Sequence, residues 1–192
     1  LLTIDNSFGG MPDSCVNESI PHLLKAEKNA PDAPAPLVWV YPLREYTTTE
    51  DAALLAEMHS GDTFICAALN DGFPLSGVVS ADSFLAHSPD LYRASVLVSP
   101  APESAAVLAK LLAFAESGGH VLFYGSTARL AGIPKHVRFH AVDTAGPAAK
   151  AREALEACGT VIRFEARAEW PEARCIVPSR SDNALFLAVF NP

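Results

Sequence analysis

The stretch ASVLVSPAPESAAVLAKLLAFAESGGHVLFYG, residues 94–125, limits what this chain can fold into more than any other. It opens on an apolar run at 94–99, which Pro100 and Pro102 end. Residues 103–117 then carry Val107, Leu108, Leu111, Leu112 and Ala115 on one side of a helix. Gly118 and Gly119 stop that helix, and a second buried strand follows at 120–124. Strand, helix and strand in about thirty residues make a βαβ unit with parallel strands and a right-handed crossover. A chain with such a unit belongs to the α/β class, with an open, mostly parallel sheet flanked by helices.

The other elements extend this pattern. Residues 37–41 (LVWVY) lie between Pro36 and Pro42 and read as a strand buried on both faces. Thr47, Thr48 and Thr49 offer N-cap hydroxyls for a helix running to about Met58. Asp62 reads as a second N-cap, opening a helix over 63–70 that Gly72 ends; Phe64 and Cys66 also alternate as in a strand at 63–67, but the helix is preferred because of that stop. Further strands are expected at 77–80, 136–142 and 160–165, and a helix at 147–158 closed by Gly159. Residues 174–177 and 185–190 flank Arg180-Ser181-Asp182-Asn183, which is the pattern of an antiparallel hairpin.

These readings divide the chain into three parts. Residues 1–36 form an N-terminal segment, with a short helix at 20–28 and a linker containing Pro31, Pro34 and Pro36. Residues 37–170 form the α/β domain. Residues 171–192 form the hairpin, as a sheet edge or the start of a following β-domain, with the boundary at Trp170-Pro171. Both ends read as cut, so the chain is expected to be a piece of a larger protein.

Composition removes several functions. The net charge of −8 opposes binding to a phosphate backbone, so no nucleic acid is expected as a partner. No apolar run reaches the ~20 residues of a membrane helix, and Leu1-Leu2-Thr3-Ile4 lacks the basic start of a signal peptide. A soluble chain is expected, with the cytoplasm favoured. Cys15, Cys66, Cys158 and Cys175 show no CxxC spacing, which excludes a zinc ribbon or a thioredoxin-like motif. Cys66 and Cys158 read as buried thiols.

The turn after 120–124 is where an open α/β sheet builds its active site. It reads Gly125-Ser126-Thr127. An esterase elbow needs small residues two positions either side of its serine, but Ser126 is flanked by Tyr124 and Ala128. A phosphate-binding loop needs a lysine after its glycines, and none follows. Gly125 is expected to relieve a tight strand exit, and Ser126 or Thr127 to cap the next turn. The threonines at 47–49, near Arg44, suggest a phosphate or flavin loop, but no glycine lets the backbone approach, and a helix cap explains them as well.

His136, Arg138 and His140 alternate, so two histidines would share a strand face. No third ligand is near in sequence and Arg138 lies between them, so no metal is assigned and a solvated face is expected. His120 is expected to meet the carbonyls of the preceding helix. Ser181-Asp182-Asn183 copies a β-lactamase element without its Ser-x-x-Lys partner and reads as a turn. No catalytic residue and no cofactor are assigned. Tyr41, Arg44, Gly125, Ser126 and Thr127 remain as candidates to line a crevice at the strand ends for a sugar or a nucleotide, and the aromatic and hydroxyl groups suit a sugar.

The order of elements over about 37–130 resembles the glutamine-amidotransferase-like, flavodoxin-like middle domain of large glycoside hydrolases. The family 42 β-galactosidases are the best-known case. The residues that carry the resemblance are Ala94-Ser-Val-Leu-Val-Ser-Pro-Ala-Pro102, the helix, and Glu116-Ser-Gly-Gly-His-Val-Leu-Phe-Tyr-Gly125. In that family the domain follows a catalytic (β/α)8 barrel, precedes a small β-domain and helps to assemble trimers. The resemblance implies that residues 1–36 are the exit from a barrel and that the hairpin enters a β-domain. It also implies a non-catalytic accessory domain whose partners are other domains of the same chain, identical subunits and carbohydrate. A true amidotransferase has a Gly-x-Cys-x-Gly elbow at this corner, whereas Ser126 stands here and no His-x-Glu element follows.

Overall fold

The computed structural model describes residues 33–34, 37–69, 73, 75–93, 95–158, 175–181 and 184–190. The helix expected at 20–28, the strand at 160–165, the glycine stops at Gly72 and Gly159, and the boundary at Trp170-Pro171 all lie outside them.

Among the described residues the chain forms an α/β fold around a five-stranded parallel sheet. After a short strand β1 (Ala33–Pro34), β2 (Leu37–Tyr41) enters the sheet and leads into helices α1 (Leu43–Thr48) and α2 (Ala52–Leu69). Then come β3 (Leu75–Ser80), α3 (Ala81–Ala86), a 3-10 turn (Pro89–Tyr92) and β4 (Val96–Pro100). Helix α4 (Ala105–Glu116), β5 (His120–Gly125), α5 (Thr127–Leu130), β6 (Phe139–Asp143) and α6 (Ala149–Ala157) complete the layered part. The strand order is β3-β2-β4-β5-β6, one of the two common doubly wound orders.

Period-two geometry sorts the apolar strands into two cores. Leu37, Trp39, Val96, Val98, Leu122, Tyr124 and Val142 face α2 and α6, where they meet Ile65, Ala151 and Leu155. Val38, Val40, Leu97, Val121 and Phe123 point the other way, onto Phe84 of α3 and Val107, Leu111 and Phe114 of α4. Because both of their faces are covered, the inner strands β2, β4 and β5 are apolar at most positions, whereas the edge strands β3 and β6 carry polar residues and leave Val78 exposed.

The glycine stop after α4 is a double hydrogen-bonded cap. Gly118 N–H donates to the Ala115 carbonyl and Gly119 N–H to the Phe114 carbonyl, and Gly118 takes the left-handed turn with φ +110°. Gly119 is needed for a different reason, since a Cβ there would lie 2.1 Å from the Phe114 ring.

The hairpin is β7 (Cys175–Ser181) with β8 (Ala184–Phe190), paired antiparallel from Cys175↔Phe190 to Ser181↔Ala184. It forms its own three-stranded sheet with β1, in which Ala33 pairs with Arg180 and Pro34 with Ser179. The end of the proline-rich stretch is therefore paired into a sheet.

Three local expectations are corrected. Helix α2 is continuous through Ser60-Gly61-Asp62, because Gly61 lets the helix close on Tyr124, whose ring lies 3.3 Å from where a Cβ would sit. The roughly 1 kcal/mol propensity cost of a mid-helix glycine is small beside that packing. Asp62 is accordingly no cap; its carboxylate accepts from two tyrosines. Thr47 and Thr48 end α1, donating to the Arg44 carbonyl at 3.0 and 2.9 Å. Asp51 accepts from Ala53 N–H and Leu54 N–H at the start of α2. Finally, β6 begins at Phe139, so His136 lies before the strand and does not share its face with His140.

Candidate functional site

The sheet order reverses between β2 and β4, and the carboxyl ends of those strands frame a crevice. It is partly open to solvent and has a cavity volume of about 20 Å³. Its floor is Val40, Ala81, Val107 and the Ser99-Pro100-Ala101 backbone, and Glu45, Glu103 and Arg129 supply the charges. The Arg129 guanidinium, with its side chain 14% exposed, donates to the Ala101 carbonyl at 2.7 Å and pairs with Glu103 at 2.8 Å. Among the described residues, Arg129 Nε and Glu45 Oε2 are buried atoms without a hydrogen-bond partner. A donor and an acceptor are thus left open on residues that line the same crevice, and each can bond a hydroxyl group.

On the other face of the same strand ends lies a polar cluster. Trp39 Nε1–H donates to the Tyr124 oxygen at 2.9 Å, and Tyr124 O–H donates to Asp62 Oδ1 at 2.7 Å. Tyr46 O–H donates to Asp62 Oδ2, and the Tyr41 ring stacks on Tyr46 at 5.2 Å. Burial, reinforced by the Asp62 carboxylate, holds the Tyr46 and Tyr124 hydroxyls far above the usual tyrosine range. Burial likewise raises Tyr41. These phenols stay protonated and act as fixed donors, the reverse of what a general base requires.

The five residues expected to line a crevice are not brought together. Tyr41 follows Val40 in the strand and so points away from the crevice, into the Trp39–Tyr46 cluster. The Arg44 side chain is exposed. Gly125 has φ +156° at the strand exit. Ser126 caps α5, its Oγ accepting from the Arg129 N–H at 3.5 Å. Thr127 O–H donates to Asp143 Oδ2. The residues that do line the crevice were not legible as a set. Arg129 is on α5, Glu45 on α1 and Glu103 precedes α4, and only the fold places them on one rim.

His120 does not meet helix carbonyls. Its Nδ1 lies 3.0 Å from His140 Nε2, and Arg138 approaches its other nitrogen at 3.2 Å. Burial lowers both imidazoles below the usual histidine range, helped by Arg138 at His120 and by His120 at His140. Cys158 is buried and its thiol is pushed up to about 12; Cys66 is half-buried.

Asp143 yields a first expected outcome. Hydrogen bonds from Thr127 and from Ala145 N–H (3.0 Å) hold its carboxyl below the usual aspartate range. A depressed folded-state value stabilises above the unfolded value of about 3.9, and that stability is lost as pH falls through the folded one. Asp143→Asn should therefore lower the melting temperature at neutral pH and converge with the wild type in acid. Thermal melts across that range check this, and a constant offset at every pH would contradict it.

The sequence matches no protein-family model, and no curated protein or solved structure is detectably similar to it. No helix among the described residues is long and apolar enough to cross a membrane. Fold and site define an open, doubly wound α/β domain with a crevice at its topological switch point.

Proposed function

We propose that this chain is a non-catalytic accessory domain of a larger glycoside hydrolase, of the amidotransferase-like, flavodoxin-like kind found beside the catalytic barrel of β-galactosidases. The observation that carries this reading is the state of Ser126. It occupies the corner where an amidotransferase carries its nucleophile, yet its oxygen caps α5. Among the described residues no imidazole or carboxylate hydrogen-bonds it, so nothing there generates the alkoxide that acyl transfer needs. The resemblance over about 37–130 supplies the glycoside-hydrolase context. Sequencing the gene on both sides tests it. Several hundred upstream residues in strand–helix repeats with two carboxylates at strand ends are expected; a start codon just before Leu1 and a stop just after Pro192 would remove the reading. The chain alone should not hydrolyse a chromogenic β-galactoside.

A second reading is favoured by the open Arg129 Nε and Glu45 Oε2: the crevice takes a hydroxyl group of a small neutral sugar bound across its mouth. The two carboxylates on the rim disfavour a nucleotide phosphate. Titration calorimetry with a panel of monosaccharides should show heat with at least one, and Arg129→Met should abolish it. Absence of heat across the panel would count against this reading and leave the accessory role untouched.

A further inference from the structure

A second cluster of functional side chains lies at the opposite end of the sheet from the crevice. His120 is the first residue of β5, His140 the second of β6, and Cys158 the C-cap of α6. The parallel register pairs Leu122 with His140, so His140 projects to the same face as Leu122. His120, two residues before Leu122, projects to that face too. Helix α6 covers this face and ends on Cys158, which belongs to the same core as Leu122 and Val142. Three elements thus deliver two imidazoles and a thiol to one point. One ligand atom from each lies within 4.8 Å of the others.

The geometry points to a metal site: we propose that His120, His140 and Cys158 bind one borderline-soft divalent ion, zinc being the natural occupant, with one coordination position left for water or another ligand. Imidazole nitrogen and thiolate sulfur are the donor set zinc prefers. Two nitrogens at ~2.0–2.1 Å from a tetrahedral zinc lie about 3.3 Å apart, and nitrogen and sulfur about 3.6 Å apart. His120 Nδ1 and His140 Nε2 are already 3.0 Å apart, and the sulfur closes from no more than 4.8 Å. Without metal, Arg138 donates to His120 Nε2, so the His120 proton sits on Nδ1 and is donated to His140 Nε2. The ion takes the place of that shared proton, which moves to His120 Nε2 so that the imidazole stays neutral, and the Cys158 thiol proton leaves to solvent. The new Nε2–H then faces the Arg138 guanidinium, which must give up its hydrogen bond. Arg138 is therefore a brake on affinity and not a ligand. The sequence argued against a metal on His136 and His140 because no third ligand is near and Arg138 lies between them; the fold leaves His136 out and joins His140 instead to His120 and to Cys158, eighteen residues past it.

Cobalt(II) and zinc(II) titrations of the chelator-treated chain test the site. Cobalt should bind one to one and give a thiolate-to-cobalt charge-transfer absorption, and zinc should displace it and raise the melting temperature. Cys158→Ser should remove the charge-transfer band, and His140→Gln should weaken binding by at least about tenfold, the scale on which even outer-shell groups act. Arg138→Gln should tighten it, and His136→Gln should change nothing. Failure of the wild type to bind cobalt or zinc at stoichiometric concentration overturns the proposal, as does a charge-transfer band that survives Cys158→Ser. The wild-type spectrum needs no variant to fold. The site does not depend on the accessory or sugar-binding reading.

Discussion

Tyr124→Ala is expected to lower folding stability by about 3–5 kcal/mol, the range for removing a buried aromatic side chain. Tyr124 is 1% exposed and sits where the sheet, α2 and the Asp62 cluster converge. Its ring lies against Gly61 and Trp39. Its hydroxyl accepts from Trp39 and donates to Asp62. Tyr124→Phe separates these contributions. It keeps the ring but leaves the buried Trp39 N–H without its acceptor, and should cost about 1–3 kcal/mol. Denaturant unfolding of both variants measures this. In a double-mutant cycle Tyr124→Phe and Asp62→Asn should be non-additive, because they share one hydrogen bond. A neutral Tyr124→Phe would show that the Trp39–Tyr124–Asp62 chain is not a structural lock.

Gly119→Ala is expected to cost about 1–3 kcal/mol, as overpacking does in a dense core. Its new methyl group would meet the Phe114 ring, which is 1% exposed and has no room to retreat. Gly118→Ala next door meets nothing within 4 Å, so its cost comes from φ +110° alone, roughly 1 kcal/mol. Trimming the ring distinguishes the two causes. Combined with Phe114→Leu, Gly119→Ala should become much less destabilising than in the wild-type background, whereas Gly118→Ala should cost the same in both. Equal behaviour of the two glycines in that comparison would remove the steric explanation.

The βαβ unit was legible because its signals agree. The apolar run after residue 94, the amphipathic pattern over 103–117 and the double glycine at 118–119 all point to one geometry, and Val96–Pro100, Ala105–Glu116 and His120–Gly125 take it up. The hairpin was legible for the same reason, from two apolar runs around a polar turn. Helix α2 was not. Ser60-Gly61-Asp62 is a stop by local propensity, and it is overridden by a tyrosine more than sixty residues away that needs the missing Cβ and the carboxylate. The candidate crevice was legible only as a place. The strand ends were the right region, but Tyr41 and Val40 divide between the two faces, and the period of a fully buried strand does not announce which face is which.

By itself the sequence determined the class of the fold, because strand, helix and glycine punctuation are local and mutually consistent here. It also determined that the strand-exit corner carries Ser126 with no elbow glycines and no cysteine. Only the tertiary structure decided which side chains meet. Strand order brings β2 beside β4 and so puts Glu45 beside the rim that Arg129 shares, and parallel register with α6 brings His120, His140 and Cys158 to one point. Such juxtapositions depend on contacts between residues far apart in the chain. Those contacts leave no periodic trace in either partner's own segment.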